Sequence, residues 1–309
     1  MRVNVRLARG TRLLASLLSM IALPVHAGDA ANPPQGVLFD DFSYASAASL
    51  AEHGWTARTK QGWPGVAGAG WEGTLSFVDD PTRSGNRLLR MTASTSPTAT
   101  RQAQLCHQRK YREGTYAARV RFTDRPAGPD GDQVVETFYL ISPLKAPMDP
   151  DYSEQDFEYL PNGGWGGEDL TLHVTTWETF RPEPDWLAVN ATNSRRGSLQ
   201  GWHTLVLQIA DHNVRYFLDG EPIATHGEPF YPESMMSINF NLWFIKEGLI
   251  DSDATRVYEE DVDWVFHDSA RILSPAAVEQ AVAELRASGV AFVDGVPAAN
   301  PPLPSPCDL

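Results

Sequence analysis

The chain has 309 residues, 42% of them apolar, with 39 acidic against 25 basic side chains and a formal net charge of −14. The apolar share is ordinary for a globular protein, and the length allows one large domain or two small ones. So acidic a chain is a poor partner for nucleic acid or an anionic membrane, which it would repel. A neutral partner such as a polysaccharide meets no such penalty, although acidity also serves plain solubility.

The first segment is not part of the expected fold. Arg2, Arg6, Arg9 and Arg12 lead into the apolar run "LLASLLSMIAL", and "VHA" at 25–27 offers small residues for cleavage. That is the layout of a secretory signal peptide. Its apolar run is shorter than the roughly 20 residues a membrane-spanning helix needs, and no later segment is a transmembrane candidate. Residues 1–27 are read as the signal, 28–270 as the body, and 271–309 as a C-terminal helix and tail. Cleavage near Ala27 would leave a secreted or periplasmic protein of formal charge −18, with 21 basic and 39 acidic residues.

Through the body, short alternating runs are separated by Gly- and Pro-rich turns, which predicts an all-β sandwich or barrel. Cys106 and Cys307 are the two cysteines. In an oxidising compartment they would permit one bridge, tying tail to body; otherwise they are two free thiols. "GTYAARVRF" at 114–122 puts Tyr116, Ala118, Val120 and Phe122 on one side and Arg119 and Arg121 on the other. "HTLVLQIA", "VRYFLDGEPIAT" and "MSINFNLWF" are further strands, and Asp219-Gly220 marks a hairpin turn. After them, Ser274 is a candidate N-cap, Pro275 a first helical residue and Gly289 a stop. Between these, Val278, Ala281, Val282 and Leu285 form one apolar stripe. A Pro-rich, extended tail follows.

The stretch "DYSEQDFEYL" at 151–160 carries the chemistry. On a strand, Glu154, Asp156 and Glu158 share one face and Gln155, Phe157 and Tyr159 the other. Neighbouring carboxylates then lie about 6.6–6.8 Å apart along the chain. They repel by roughly 2–3 kcal/mol at an effective dielectric near 20, but only about 0.6 kcal/mol in water. In a cleft the repulsion raises at least one pKa, giving the protonated acid beside an ionised carboxylate that glycoside hydrolysis uses. A solvated acidic edge and a calcium site are the competing readings. Phe157 and Tyr159 behind the row speak against the first, and the lack of Gly and Asn among the ligands against the second.

"EQDFE" resembles the E-x-D-x-E motif of glycoside hydrolase family 16. The likeness extends over most of the mature chain, through "LFDDFSY", "REGTYAARVRF", "VETFYLIS", "GWHTLVLQIADHNVRYFLDGEPIAT", "MSINFNLWF" and "YEEDVDWVFH" in the family's order. The resemblance implies a jelly roll of two curved antiparallel sheets with a concave substrate cleft. It implies Glu154 as nucleophile, Glu158 as general acid/base and Asp156 as their assistant, in a retaining double displacement without cofactor. Some relatives hold a structural calcium, which this sequence neither indicates nor excludes. The typical "WPAFW" is replaced here by "VVETFYL", so two sugar-binding tryptophans are absent and Tyr139 stands in for one.

Alternation proposes the rest of the cleft. In "LHVTTW", His173 and Trp177 oppose the more core-like Leu172, Val174 and Thr176; in "INFNLWF", Asn239, Asn241 and Trp243 oppose four apolar residues. Asn amides suit sugar hydroxyls and a Trp face suits a sugar ring; the alternative is structural use of each. Trp165 is a candidate platform over the cleft. Trp63 and Trp71, in a Gly-rich loop, either bind sugar at the far end or plug the sandwich, and plugging is preferred. The histidines show no metal-ligand spacing, and Asn190 heads an N-A-T sequon. The expectation is a monomeric secreted hydrolase acting inside β-linked polysaccharide chains, with β-glucan first among substrates. A non-catalytic carbohydrate-binding sandwich and a transglycosylase are the rivals.

Overall fold

A computed structural model describes residues 34–182, 184–305 and 307, so the signal segment lies outside the described residues. Among those described, seventeen strands follow in order: β1 (Val37–Asp40), β2 (Trp55–Ala57), β3 (Leu75–Asp79), β4 (Arg87–Thr95), β5 (Thr100–Arg101), β6 (Ala103–His107), β7 (Gly114–Phe122), β8 (Val134–Ile141) and β9 (Glu154–Leu160). Then come β10 (Thr171–Arg181), β11 (Leu187–Arg196), β12 (Gly201–Ala210), β13 (Asn213–Leu218), β14 (Glu221–His226), β15 (Ser237–Phe244), β16 (Arg256–Asp268), the helix α1 (Pro275–Ala287) and β17 (Phe292–Asp294). None of the described helices is long and apolar enough to cross a membrane.

The strands form a jelly-roll sandwich of two antiparallel sheets. One has seven strands in the order β11-β10-β9-β8-β15-β6-β2; the other runs β14-β13-β12-β7-β16-β1-β17, with β4 on β16 and β3 and β5 on β4. The period-two pattern sets which face of each strand is dry. Phe157 and Tyr159 of β9, the four apolar residues of β15, and Tyr116, Ala118, Val120 and Phe122 of β7 all enter one core between the sheets. Each of the large aliphatic or phenyl side chains among them contributes about 1.5–3 kcal/mol. Phe157 also meets Tyr216 of the opposite sheet edge-on, ring centres 5.2 Å apart, and the Tyr159 hydroxyl donates to Asp124 at 2.5 Å. The aromatic side of β9 thus anchors the strand while its acidic side faces outward. Between β13 and β14, Asp219 and Gly220 both take positive φ (51° and 86°), as a tight hairpin turn requires.

The C-terminal segment wraps the body. Ser274 caps α1 by accepting the Ala277 N–H at 3.3 Å, and Gly289 (φ 73°) follows its end. Val278 and Val282 bury against Phe39, Ala117, Val206, Trp264 and Phe266 on the outer face of the ten-stranded sheet. The chain then pairs β17 with β1 and is tied to Lys110, whose ammonium donates to Asp294 at 2.6 Å and to the Val296 carbonyl at 3.0 Å. It ends on the other sheet, where Cys307 is bonded to Cys106 of β6. Of the two alternatives for the cysteines, the bridge is the one formed.

Candidate active site

Register across the seven-stranded sheet arranges its outward side chains in rows. Ile141, Glu154, Trp177 and Asn190 stand in one. Cys106, Asn239, Tyr139, Asp156, Thr175 and Thr192 make the next. Gln104, Asn241, Thr137, Glu158 and His173 make the third. All of these except Cys106 and Asn239 floor a cavity of about 1130 Å³, walled by loop residues that include Trp63, Pro143, Leu144, Trp165, Pro182, Trp186, Lys246 and Glu247. A cavity larger than the usual 300–1,000 Å³ small-molecule pocket suits a ligand longer than a single small molecule.

Aromatic rings cluster beyond both ends of the acidic row. Past Glu154, Phe180 packs near Trp177 (5.8 Å), Trp186 (5.4 Å) and Trp63 (6.2 Å). Past Glu158, Trp165 meets Trp243 at 6.1 Å, over a small apolar patch of Val135, Leu160 and Ile245. Trp63, Trp165 and Trp186 are 71%, 58% and 57% exposed. Such large apolar exposure facing a cleft marks a surface meant to be covered.

The three carboxyls differ in their partners. Glu154 accepts a hydrogen bond at Oε2 from the Tyr152 hydroxyl and a second from the Asp156 side chain. Asp156 accepts the Trp177 indole N–H at Oδ2, 2.8 Å away. Loss of water lifts all three: Glu154 to about 8, Glu158 to about 7, and Asp156 well above the carboxylate range, with Glu154 and Glu158 adding to its shift. Taken alone, these shifts would make Glu154 more protonated than Glu158. At Glu154 burial and the Glu158 charge hold the proton on, while Tyr152 and Asp156 donate to it and favour the charged form. For Glu158 burial is the cause, and burial favours the acid. Glu154 is thus the member of the row whose charged form has donors, and Glu158 the member on which burial alone acts. A side chain of the floor, Tyr139, is held from behind: Arg58 donates to Gln104 Oε1 at 2.9 Å and Gln104 Nε2 to the Tyr139 hydroxyl at 2.7 Å.

Of the residues expected from sequence, Glu154, Asp156, Glu158, Tyr139, Trp165, His173, Trp177, Asn241 and Trp243 all line this cavity. Asn239 does not. It is fully buried, accepts from Ser237 Oγ at 3.0 Å, and donates to the carbonyls of Ser237 (3.0 Å) and Tyr139 (3.4 Å). The two loop tryptophans divide: Trp71 is the plug, 2% exposed with the Arg58 guanidinium 4.0 Å over its ring, whereas Trp63 belongs to the cleft wall. Sequence reasoning missed Tyr152, although it stands two residues before Glu154 and so shares its parity. It also missed Phe180, because a bulge between Trp177 and Thr179 breaks the alternation of β10, and Trp186, which lies in the loop before β11 where no alternation applies. Among the described residues no group of three or more His, Cys, Asp or Glu is placed to hold a metal ion.

Comparison of the whole structure with solved ones defines the fold as a jelly roll like that of family 16 glycoside hydrolases. A Bacillus licheniformis beta-glucanase superposes with a TM-score of 0.55 at 13% identity, over 75% of this chain and 98% of that one. A Bacteroides ovatus endo-glucanase of glycoside hydrolase family 16 gives 0.56 at 16%, over 74% and 98%. The kappa-carrageenase of Zobellia galactanivorans gives 0.51 at 14%, over 77% and 96%. Identities this low carry the fold and not the activity. No protein-family model and no curated protein sequence matches the chain.

Proposed function

We propose that the protein is a glycoside hydrolase that cuts internal β-glycosidic bonds of a polysaccharide with retention, β-glucan being the first substrate to test. The observation that carries this reading is the row Glu154, Asp156, Glu158 on the floor of an aromatic-walled cleft, with hydrogen-bond donors aimed at Glu154. Ionised Glu154 attacks the anomeric carbon while Glu158 gives its proton to the departing glycosidic oxygen, leaving a glycosyl ester on Glu154 and one chain fragment freed. Glu158, now ionised, takes a proton from a water that attacks the same carbon, which releases the sugar and restores both carboxyls. Asp156, fixed by Trp177, keeps its proton on Glu154 and tempers the repulsion in the row. Exposed tryptophans offer faces for sugar rings on either side of the cut.

The same reading takes residues 1–27 as an export signal, 28–270 as the catalytic body, 271–309 as its wrapped C-terminal extension, and the mature protein as a monomer. The test is a screen of laminarin, lichenan, xyloglucan, agar and carrageenan with reducing-end detection, followed by NMR of the first-formed anomer. Release of new reducing ends with retained configuration is expected. No cleavage of any glycan overturns hydrolysis, inverted configuration overturns the nucleophile, and products longer than the substrate indicate sugar transfer instead.

A further inference from the structure

The hydrogen bonds on the β8 side of the acidic row leave one proton without a destination. Tyr139 of β8 reaches across β15 to Gln104 of β6, whose Nε2 donates to the Tyr139 hydroxyl oxygen at 2.7 Å. Gln104 has no freedom to turn its amide round, because its Oε1 takes an Arg58 N–H at 2.9 Å and a guanidinium can only donate. Arg58 is fixed in turn by the carbonyls of Lys60 (2.9 Å) and Trp63 (3.0 Å) and by stacking on the Trp71 ring. The Tyr139 oxygen is therefore an acceptor toward Gln104, and its own proton points elsewhere. Among the described residues that proton has no acceptor. Burial, reinforced by the charges of Glu154 and Asp156, pushes the phenol pKa up, so the proton stays on.

Two further polar groups stand unfilled nearby. Asn241 and Thr137 face one another across the β15–β8 ladder, line the same cavity and are each 4% exposed. Neither Asn241 Oδ1 nor Thr137 Oγ1 has a hydrogen-bond partner among the described residues. Asn241 is also the ladder partner of Gln104, the residue that holds Tyr139. A free donor and a free acceptor thus border the same glutamine on the cleft floor. Buried polar groups are rarely left unpaired, so such a set marks a place that a polar ligand fills.

We propose that Tyr139 and Asn241 form a subsite that reads one free sugar hydroxyl, with Gln104 and Arg58 as positioning residues that set the direction of the Tyr139 O–H. The inference rests on the hydrolase reading and narrows its substrate to chains whose unit between the acidic row and β6 carries an unsubstituted hydroxyl there. A hydroxyl fits because its oxygen accepts from Tyr139 while its hydrogen goes to Asn241 Oδ1. An ether, ester or sulfate at that oxygen has no hydrogen to give and leaves Asn241 unpaired, so the subsite rejects substituted units. Thr137, able to give or take a hydrogen bond, serves a neighbouring oxygen of the same ring.

The test measures binding by calorimetry in Glu154→Gln protein, which holds glycans without cutting them. The probes are oligosaccharides prepared from laminarin, lichenan, xyloglucan, agar and carrageenan. For the tightest binder, adding Tyr139→Phe should weaken affinity about tenfold, the worth of one hydrogen bond left unmade. Gln104→Glu decides the orientation. The new carboxylate still accepts from Arg58, which supplies its counter-charge, but it also accepts the Tyr139 proton and turns the hydroxyl away from the sugar. Affinity should fall by the same factor, with the melting temperature at or above that of the parent, and combining the two substitutions should cost nothing more. A merely structural Gln104 would leave this variant binding as the parent does. Among analogues with one hydroxyl removed at a time, one should lose affinity for the parent protein and none for Tyr139→Phe. Should Gln104→Glu fold poorly, that deoxy series decides. Unchanged affinity in Tyr139→Phe or in folded Gln104→Glu overturns the proposal, as does a deoxy series in which no member distinguishes the two proteins. Binding without cleavage by wild type defeats hydrolysis alone and still measures the subsite; binding of no glycan at all defeats both.

Discussion

Two sets of carboxyls are crowded together in this molecule. Glu154, Asp156 and Glu158 stand on the outer face of β9, while Glu136 of β8 and Glu260 of β16 lie between the sheets. Glu136 shares the core-facing side of β8 with Val134 and Phe138, and Glu260 that of β16 with Tyr258 and Val262. Burial raises the pKa in both sets, and like charge raises it further for Asp156 and Glu260. What differs is access, and, between Glu154 and Glu260, partners; Glu136 accepts from the Thr123 N–H at 3.0 Å and hydroxyl at 3.2 Å but is sealed from any ligand. The outer row opens onto a cavity and Glu154 receives donors; both Glu260 oxygens lack a hydrogen-bond partner, with only the Thr137 backbone nearby to ease their charge. A raised carboxyl pKa thus marks no chemistry by itself. It becomes useful where a ligand can reach the group and where donors decide which member of the set ionises.

The sharpest way to break this contrast is Glu154→Gln. Turnover of an activated aryl glycoside should fall on the order of 10⁴-fold or more, with the melting temperature nearly unchanged; retained turnover removes Glu154 from the nucleophile role. Next comes Glu158→Ala, expected to slow glycan cleavage by about 10²–10⁴-fold yet to be rescued by azide when the leaving group is good. In wild type the acid must hold its proton, and Glu158 titrates at about 7, so kcat/KM should decline as pH rises through that value. Loss of this alkaline limb in Glu158→Ala would tie it to that residue. An unaltered limb points to another group.

Tyr152→Phe probes the donor side. The Tyr152 hydrogen bond lowers the Glu154 pKa, so its removal should move the acid limb of kcat/KM upward by about one on the pH scale, equivalent to 1.36 kcal/mol. A purely structural tyrosine would reduce activity without shifting that limb. The smallest effect is expected in the sealed set. Glu260 is held neutral in the fold, whereas an unfolded glutamate ionises from about pH 4.3 upward. Its burial therefore costs stability progressively as pH rises above that point, the folded state retaining the proton. Glu260→Met should stabilise the protein at pH 7 by about 1–3 kcal/mol, with a smaller gain at pH 4 and unchanged kcat, by denaturant titration and aryl glycoside assay. Equal gains at both values would show that charge is not the cause.

Much of this was legible in the sequence because a strand with one dry face writes its parity directly. Phe157 and Tyr159 against Glu154, Asp156 and Glu158, or Phe240 and Leu242 against Asn241, are read correctly from two-residue periodicity. The failures occur where something distant in the chain overrides parity. Asn239 has the parity of a cleft residue, but its outer side is closed by burial that nothing in "INFNLWF" announces. Phe180 faces the cleft because an extra residue in β10 reverses the alternation after Trp177. Trp63 and Trp71 sit in one loop with similar neighbours, and only packing against Arg58 separates plug from wall.

The position of Asn190 has a practical side. It heads an Asn-Ala-Thr triplet and sits across the ladder from Trp177, on the cavity floor. A cell that attaches N-linked oligosaccharides during export would hang a branched sugar tree in the mouth of the groove. Protein produced that way is expected to block itself, so material for kinetics belongs in a bacterial host or carries Asn190→Gln.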